Sequence, residues 1–284
     1  MGQLTDIGYI RDLLSRHGFS FSKKLGQNFL INPSVCPRMA EACGADQDSA
    51  VLEIGPGIGV LTRELAAVAG TVVAIELDDR LLPVLQETLA DCPNVTVVHG
   101  DVMKIDLPQL FDTYFKGKKV HVCANLPYYI TSPIIMMLLE SGLPIEDITV
   151  MVQKEAAIRL AASPATRECG AVSLAVQYYA QPARLFGVSR GSFMPAPNVD
   201  SEVMRLDVRK QPPVEVADER LLFQLIRAAF GQRRKTLANA LSGAGFAKDT
   251  VHAACETAAV APTARAEQLT LQQFAALANA MRGV

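Results

Sequence analysis

The sequence lacks the residue patterns that bind metals, form disulfide frameworks or cross membranes. Its six cysteines include no Cys-X-X-Cys pair, and its four histidines are scattered along the 284 residues. We therefore interpret the cysteines as reduced, buried, small hydrophobic side chains, and we expect no metal site. No apolar run approaches the roughly eighteen residues that a transmembrane helix requires, so no membrane span is predicted.

The charge balance gives no general attraction to nucleic acid, because the net charge is only −2 and that attraction needs a surplus of positive groups. The average conceals local clusters. Lys23 and Lys24 are adjacent, and the run 233–235 (Arg-Arg-Lys) is contiguous and expected on a helix. Such clusters could contact phosphates, and the alternative is solvated surface. For the lysines within 116–119 we favour the solvated surface.

Length and patterning predict two domains. Half of the residues are hydrophobic, enough for a sizeable core. Strand and helix patterns alternate as far as residue 208, which predicts an α/β, doubly wound, Rossmann-like sheet. Lys210-Gln211-Pro212-Pro213 reads as a linker, and Ala- and Leu-rich helical patterns follow it. We place a catalytic domain at 1–211 and a small all-helical domain at 212–284.

The individual helices and strands are predicted from the period of the hydrophobic residues and from the residues that begin and end such elements. An N-terminal helix is predicted with Thr5 as its cap and Gly18 beyond its end. We read 171–179 only as a hydrophobic run. The predicted strands are 51–54, 71–75, 95–98, a strand that follows the lysines within 116–119 and delivers Asn125, 148–153 and 203–208. The other predicted helices are 60–69, 131–140, 154–162, 221–230, 236–244, 250–258 and 271–281.

A glycine-rich loop, with Gly55, Gly57 and Gly59, joins the strand 51–54 to the next helix. Glycines let the backbone approach a ligand, and the helix N-terminus offers free amides, so the loop is typical of a nucleotide site. A dinucleotide site needs Gly-X-Gly-X-X-Gly, but the residue after Gly59 is Val60. Nothing downstream resembles a hydride-transfer acid or base pair, so S-adenosylmethionine fits better than NAD.

Polar residues follow the next three predicted strands. Glu76 ends the second strand, where its carboxylate could hold both hydroxyls of a ribose. Asp101 follows the third strand and could accept a hydrogen bond from an adenine amine, and Asn125 follows the fourth. The carboxyl ends of parallel strands border the crevice in which open α/β sheets bind ligands. We therefore expect the glycine loop, Glu76, Asp101 and Asn125 at one site.

The tetrapeptide Asn125-Leu126-Pro127-Tyr128 suits methyl transfer to an amine conjugated with a ring. The lone pair of such an amine is delocalised, so two acceptors, the Asn125 side-chain oxygen and the Leu126 carbonyl, would orient its hydrogens. Pro127 would stiffen the turn. Tyr128 would stack on the base, a contact worth about 1–3 kcal/mol. The alternative is an ordinary turn after a strand.

Several motifs occur in an order and spacing that resemble a known family. They are Leu25-Gly26-Gln27-Asn28-Phe29-Leu30, Gly55 through Thr62, Glu76, Gly100-Asp101 and Asn125 through Tyr128. Over nearly all of its length the sequence resembles the ribosomal RNA adenine N6-dimethyltransferases. The resemblance implies a class I methyltransferase sheet and two methyl transfers to each target adenine. It also implies that S-adenosylmethionine is bound by Asn28, Leu30, Gly55, Glu76, Asp101 and Asn125.

The C-terminal motifs resemble the small-subunit branch of this family more than its Erm-type, large-subunit branch. They are Phe193 through Ser201, Phe230 through Leu237, and Arg265-Ala266-Glu267. The resemblance implies that Phe193 is the second face of a base sandwich, for which the alternative is a core phenylalanine. It favours RNA contacts by Arg233, Arg234 and Lys235, and we expect the same of Lys23 and Lys24.

The implied substrate is a pair of adjacent adenines in the hairpin loop near the 3′ end of 16S rRNA, within an immature small ribosomal subunit in the bacterial cytoplasm. Two other classes stay open. One is a non-catalytic RNA-binding assembly or transcription factor on the same fold, which the intact set of cofactor residues disfavours. The other is a DNA adenine methyltransferase, which usually carries Pro where this chain has Leu126 and needs a DNA-recognition region.

Overall fold

The computed structural model describes residues 2–21 and 27–282, with side chains from Leu4 onward. The chain forms two compact units. The first comprises Met1–Ala157 and Ala183–Val208, and the second comprises Ile158–Pro182 and Arg209–Val284.

The predicted boundary between 211 and 212 lies close to the observed one after Val208. The segment Ile158–Pro182, which we assigned to the first domain, belongs instead to the second unit. The reason is packing, because its buried Tyr178 ring lies 5.2 Å from the Phe223 ring, edge to face, and its Tyr179 hydroxyl donates to Glu219 at 2.6 Å.

The strands lie mainly in the first unit. They are β1 Phe29–Leu30, β2 Ala50–Ile54, β3 Thr71–Glu76, β4 Val95–His99, β5 Val120–Asn125, β6 Ile145–Gln153, β7 Ala180–Val188, β8 Phe193–Met194 and β9 Ser201–Val208. Over the described residues, β2 to β7 and β9 form one seven-stranded sheet, in the order β4-β3-β2-β5-β6-β9-β7. β1 and β8 form a separate antiparallel pair.

The order of the sheet places a crevice beside β2. β2 is parallel to β3 on one side and to β5 on the other, so the chain winds outward in both directions from this position. Every residue of β2 is buried, as expected of a central parallel strand covered on both faces. In such sheets ligands bind at the carboxyl ends of the strands where the winding reverses. β9 then closes the sheet antiparallel to β6.

The predicted helices are observed with similar bounds, and three further helices in the described part of the chain, at 35–43, 82–88 and 107–114, were not predicted. The helices are α1 Ile7–Arg16, α2 Val35–Cys43, α3 Val60–Val68, α4 Leu82–Thr88, α5 Leu107–Tyr114, α6 Thr131–Glu140, α7 Lys154–Leu160, α8 Ala171–Tyr179, α9 Glu219–Gly231, α10 Leu237–Gly243, α11 Lys248–Thr257 and α12 Leu271–Arg282. The run 171–179 is thus a helix. The cap of α1 was wrong, because Asp6 rather than Thr5 accepts from the Tyr9 amide, at 2.8 Å.

The basic run 233–235 lies in a turn, so the expectation that it is helical was wrong. α9 ends at Gly231, and the Thr236 hydroxyl caps α10 by accepting from the Asn239 amide at 3.4 Å. The three basic residues are therefore held between two helix ends, and all three are exposed. The Arg233 guanidinium turns back on its own unit and donates to the carbonyl of Arg167 at 2.6 Å.

All six cysteines are free thiols, and five of them are buried, as predicted; Cys92 is partly exposed. In the part of the chain that the structure describes, no helix is both long and apolar enough to cross a membrane.

Candidate active site

A cavity opens in the first unit at the carboxyl ends of β2, β3 and β5, and its wall includes nearly all of the predicted catalytic and cofactor-binding residues. The predicted residues on its wall are Asn28, Leu30, Gly55, Gly57, Glu76, Asp101, Asn125, Leu126, Pro127, Tyr128 and Phe193. The motifs that are separated by up to 165 positions in the sequence therefore share one site.

The glycine loop adopts backbone conformations that other residues rarely reach. Gly55 and Gly57 have φ angles of 71° and 62°, in the left-handed region. A Cβ added to Gly55 would have no atom within 4 Å, so this glycine faces the open cavity. Gly59, which we predicted in the cofactor site, is not on the described cavity wall. It is the N-cap of α3, and a Cβ there would meet Thr88 and Leu89 at 3.1 Å.

Glu76 is fixed at the end of β3 by two backbone amides. Its Oε1 accepts from the Asp78 amide at 2.8 Å, and its Oε2 accepts from the Gly57 amide at 3.2 Å. The residue is 5% exposed. Burial raises the pKa of its carboxyl, and the two amides partly offset that effect. The second bond couples the acid directly to the glycine loop, so their relative position is set before any ligand binds.

Asp78 has a positioning role that sequence reasoning missed. Its carboxylate accepts from Gln27 Nε2 at 2.7 Å and from Arg80 Nε at 2.8 Å. The Arg80 guanidinium lowers the pKa of Asp78, so the carboxylate is the stable form. This bond ties the segment that carries Asn28 to the end of β3. The available signal was a second acid two residues after Glu76.

The small β1–β8 pair brings Phe193 to the cavity. Leu30 lies opposite Phe193 in the antiparallel register, and the Ile31 amide donates to the Ser192 carbonyl at 2.8 Å. Phe193 is only 3% exposed and also belongs to the apolar core around Leu30 and Met39. Phe193 is therefore a core residue that also lies on the cavity wall, and its stacking on a base stays a prediction.

The loop Asn125-Leu126-Pro127-Tyr128 is anchored along its length. The Leu126 amide donates to the Met151 carbonyl of β6 at 3.2 Å, and the Pro127 carbonyl accepts from the Thr131 hydroxyl at 3.1 Å. The Tyr128 hydroxyl hydrogen-bonds Ser201 Oγ at 2.6 Å. Burial raises the pKa of Tyr128, so its phenol is neutral. The buried Ser201 lies in a motif that we used only for family resemblance, and its role in holding Tyr128 was missed.

Asp101 and Tyr129 lie at more open parts of the wall. Asp101 follows β4, and its Oδ1 accepts from the Met103 amide at 3.0 Å, which orients the carboxylate. Tyr129, the residue after the loop, is 59% exposed.

Glu53 is a further wall residue that sequence reasoning treated only as part of a strand. It is 1% exposed, yet it lines the cavity. Its Oε2 has no hydrogen-bond partner among the described atoms. Burial raises its pKa to about 8. The signal was an acid inside the apolar strand Val51-Leu52-Glu53-Ile54.

Comparisons with known proteins show the family to which the chain belongs. The family model for ribosomal RNA adenine dimethylase matches residues 18–282. A protein of Oceanobacillus iheyensis named "Ribosomal RNA small subunit methyltransferase A" is 47% identical, over 95% of this chain and 93% of its own. A protein of the same name from Lachnoclostridium phytofermentans is 48% identical over 98% of both chains. The chain belongs to the ribosomal RNA adenine dimethylase family.

Solved structures of related enzymes share the fold. The 23S rRNA methyltransferase ErmE is 29% identical, with a TM-score of 0.69 over 90% of this chain and 100% of that one. A dimethyladenosine transferase from Plasmodium falciparum is 24% identical, with a TM-score of 0.73 over 87% of this chain and 95% of that one. The predicted Rossmann-like class I sheet is thus confirmed, and the chain is a methyltransferase of this family.

Two predicted RNA-binding residues, Lys23 and Lys24, lie outside the described residues. Of the basic turn, Arg234 and Lys235 are exposed, whereas Arg233 binds the Arg167 and Cys169 carbonyls at 2.6 and 3.3 Å. Their contacts with RNA stay a prediction.

A second polar cluster lies away from the cavity wall. His121 Nδ1 and Asp147 Oδ2 are 2.6 Å apart, and Arg205 Nη2 lies 3.1 Å from the same oxygen. Within the described ranges, Cys43, His121 and Asp147 are the one group of potential metal ligands close enough to share an ion. The guanidinium of Arg205 already compensates the Asp147 charge, which favours a buried ion-pair network; the absence of a metal stays a prediction.

Proposed function

We propose that this methyltransferase dimethylates the exocyclic amines of two adjacent adenosines in the 3′-terminal hairpin loop of 16S rRNA during small-subunit biogenesis. The observation that carries the proposal is the convergence of an amine-orienting loop, Asn125 through Tyr128, with the acids Glu76 and Asp101 in one cavity. The small-subunit assignment is supported by relatives of that name at 47–48% identity, against 29% for the 23S enzyme ErmE.

S-adenosylmethionine fits the groups on the cavity wall. The fixed carboxylate of Glu76 can accept from both ribose hydroxyls, as a nucleoside requires, and the Asp101 carboxylate can accept from the adenine amine. Gly55 leaves open space where a ligand approaches the backbone. Asn28 and Leu30 complete the proposed set. When bound, the cofactor supplies an electrophilic methyl group on a sulfonium.

The target amine is oriented by two acceptors. The Asn125 side-chain oxygen and the Leu126 carbonyl each take one amine hydrogen, which holds the nitrogen lone pair toward the methyl group. Because the Leu126 amide is bonded to the Met151 carbonyl of β6, the backbone that leads into the Leu126 carbonyl is anchored before the base arrives. The pocket must also leave room for the first methyl when the second is transferred.

Two aromatic rings bracket the base. Tyr128 supplies one face, held in place by its hydroxyl bond to Ser201, and Phe193 supplies the other from β8. Stacking contributes about 1–3 kcal/mol per base. Extruding a base from a loop costs a few kcal/mol, and least where the base is unpaired.

Positively charged side chains bind the phosphates of the RNA around the target base. We assign phosphate contacts to Lys23, Lys24, Arg233, Arg234 and Lys235, and we assign the second, mainly helical unit to contact with the ribosomal subunit. The exposure of Arg234 and Lys235 supports their part in this role.

The test is tritiated methyl incorporation from S-adenosylmethionine into three substrates in parallel. These are small subunits that lack the modification, mature small subunits and large subunits, with the modified nucleoside identified by mass. Label as dimethyladenosine in unmodified small subunits alone is expected, and Asn125→Ala is the matched inactive control.

Label in large subunits would overturn the small-subunit assignment in favour of the ErmE reaction. If the protein binds the cofactor but labels none of the three substrates, the proposed catalysis would give way to a non-catalytic assembly role. Mapping the label within 16S rRNA to any site other than adjacent adenosines of the 3′-terminal hairpin would refute the proposed target.

A further inference from the structure

Glu53 occupies an unusual position for an acid. It is the fourth residue of the fully buried strand β2, immediately before Ile54 and the glycine loop, and it is one of the residues that line the cavity. Its Oε2 has no hydrogen-bond partner in the part of the chain that the structure describes. A buried polar atom without a partner costs free energy, so its retention on a ligand-binding wall calls for an explanation.

Among the described residues, the groups that act on Glu53 do not include a cation. Burial is the largest effect on its pKa, which it raises to about 8; the Thr62 hydroxyl on α3 lowers it by less, and Glu76 on β3 raises it further. Cys36 on α2 and Cys123 on β5 face it as neutral thiols, because the pKa of each thiol is well above its usual value. The carboxyl is therefore mostly protonated at neutral pH in the free protein.

We propose that Glu53 is the group by which the cavity distinguishes the methyl donor from its demethylated product. The inference rests on the proposed cofactor, whose sulfur carries a positive charge that the product's thioether lacks. A cationic sulfur in the cavity supplies the positive charge that none of the described groups around Glu53 supplies. The carboxyl therefore ionises, and its proton passes to solvent. After methyl transfer the counter-charge is gone, and Glu53 takes up a proton again.

The arrangement favours exchange of product for fresh donor. A neutral Glu53 binds the neutral sulfur without a charge to compensate, whereas an ionised Glu53 binds the sulfonium. If the sulfonium lowers the Glu53 pKa by about 2 units, within the range for a nearby opposite charge, the gain at pH 7 is about tenfold in donor affinity. Glu76 contributes no such selectivity, because the ribose it binds is common to both ligands.

The experiment is isothermal titration calorimetry of the full chain with S-adenosylmethionine and with S-adenosylhomocysteine at pH 7. Titrations in two buffers of different ionisation enthalpy report the protons released on binding. The wild type is expected to release about 0.8 proton more with the donor than with the product, as a 2-unit shift from a pKa near 8 requires. Any titration of the ligands' own amino groups also occurs in Glu53→Gln, and therefore cancels between the two proteins.

Glu53→Gln should lose the excess proton release and about tenfold of the preference for donor over product. Glu76→Gln is the matched control, since it removes a neighbouring acid but should weaken both ligands alike. Circular dichroism verifies that both variants are folded. If Glu53→Gln does not fold, Glu53→Leu, which places an apolar side chain of similar size on the fully buried strand β2, takes its place as the variant without the carboxyl.

Equal proton release with the two ligands would overturn the inference, as would an unchanged donor preference in folded Glu53→Gln. In both cases the cofactor assignment would stand, because both ligands still bind. Failure of the wild type to bind either ligand would overturn the cofactor assignment and this inference with it.

Discussion

The cavity of the first unit and the basic turn of the second present their polar groups in opposite ways. In the cavity, Glu76 and Tyr128 are each held by bonds to residues far away in the sequence, and both are at least partly buried. In the turn, Arg234 and Lys235 project from consecutive positions into solvent. Geometry therefore decides what the cavity residues do, and total charge decides what the turn residues do. Substitutions should affect chemistry in the first case and salt-dependent binding in the second.

The largest expected effect is that of Asn125→Ala. Removing one fixed polar contact to a reacting group commonly lowers the rate by about 10²–10³-fold, and Asn125 supplies one of the two proposed acceptors. Asn125→Asp keeps an acceptor oxygen and should retain more activity. Single-turnover methyl transfer with saturating RNA and cofactor measures both. An undiminished rate in Asn125→Ala, with RNA binding intact, would remove the amine-orienting role.

Glu76→Ala should have the next largest effect, on cofactor affinity. Hydrogen bonds to a charged group contribute about 1.5–3 kcal/mol, which corresponds to a rise in Kd of about 10- to 100-fold. Calorimetry should show the same loss for S-adenosylmethionine and S-adenosylhomocysteine. The exposed Glu41→Gln on α2 is the control for an acid outside the cavity. Unchanged cofactor affinity in Glu76→Ala would show that this carboxylate does not bind the ribose.

The raised pKa of Glu53 predicts that the stability of the protein depends on pH. Its pKa rises from an ordinary 4.5 to about 8 in the folded state, so between these values the native state holds a proton that the unfolded state has lost. The free energy of unfolding should therefore fall as pH rises through this window, by up to about 1.4 kcal/mol per pH unit. Urea unfolding of the wild type and Glu53→Gln from pH 5 to 8.5 measures the difference. Parallel curves for the two proteins would show that the carboxyl titrates normally.

Much of the cavity could be predicted because its residues follow strands whose pattern is plain in the sequence. Two strands end at Glu76 and Asn125, as predicted, because apolar runs bounded by polar and turn-forming residues mark these strands in the sequence. Parallel strands place their carboxyl ends at one edge, so convergence follows from the fold class alone. The functional roles of these residues stay predictions.

The remaining features depend on tertiary contacts that no local pattern encodes. β1 and β8 have two residues each, too few to show a period, and their partners lie far apart in the chain. The Tyr128–Ser201 and Gln27–Asp78 bonds likewise join separate segments. The basic run was placed on a helix because it adjoins a helical pattern, whereas α9 stops at Gly231.

The smallest expected effects are those of substitutions in the basic turn, and they differ between Arg234 and Arg233. Arg234→Ala should reduce the slope of log binding constant against log salt by about 0.7–0.9, the value for one lost phosphate contact, with no change in Tm. Arg233→Ala should also lower stability, by about 0.5–1.5 kcal/mol, because its guanidinium bonds to backbone carbonyls. RNA binding at several salt concentrations and thermal unfolding separate the two residues, with the exposed Lys116→Ala as the surface control. A slope that Arg234→Ala leaves unchanged would make the turn ordinary solvated surface, and the assignment of RNA contacts would then rest on the cavity alone.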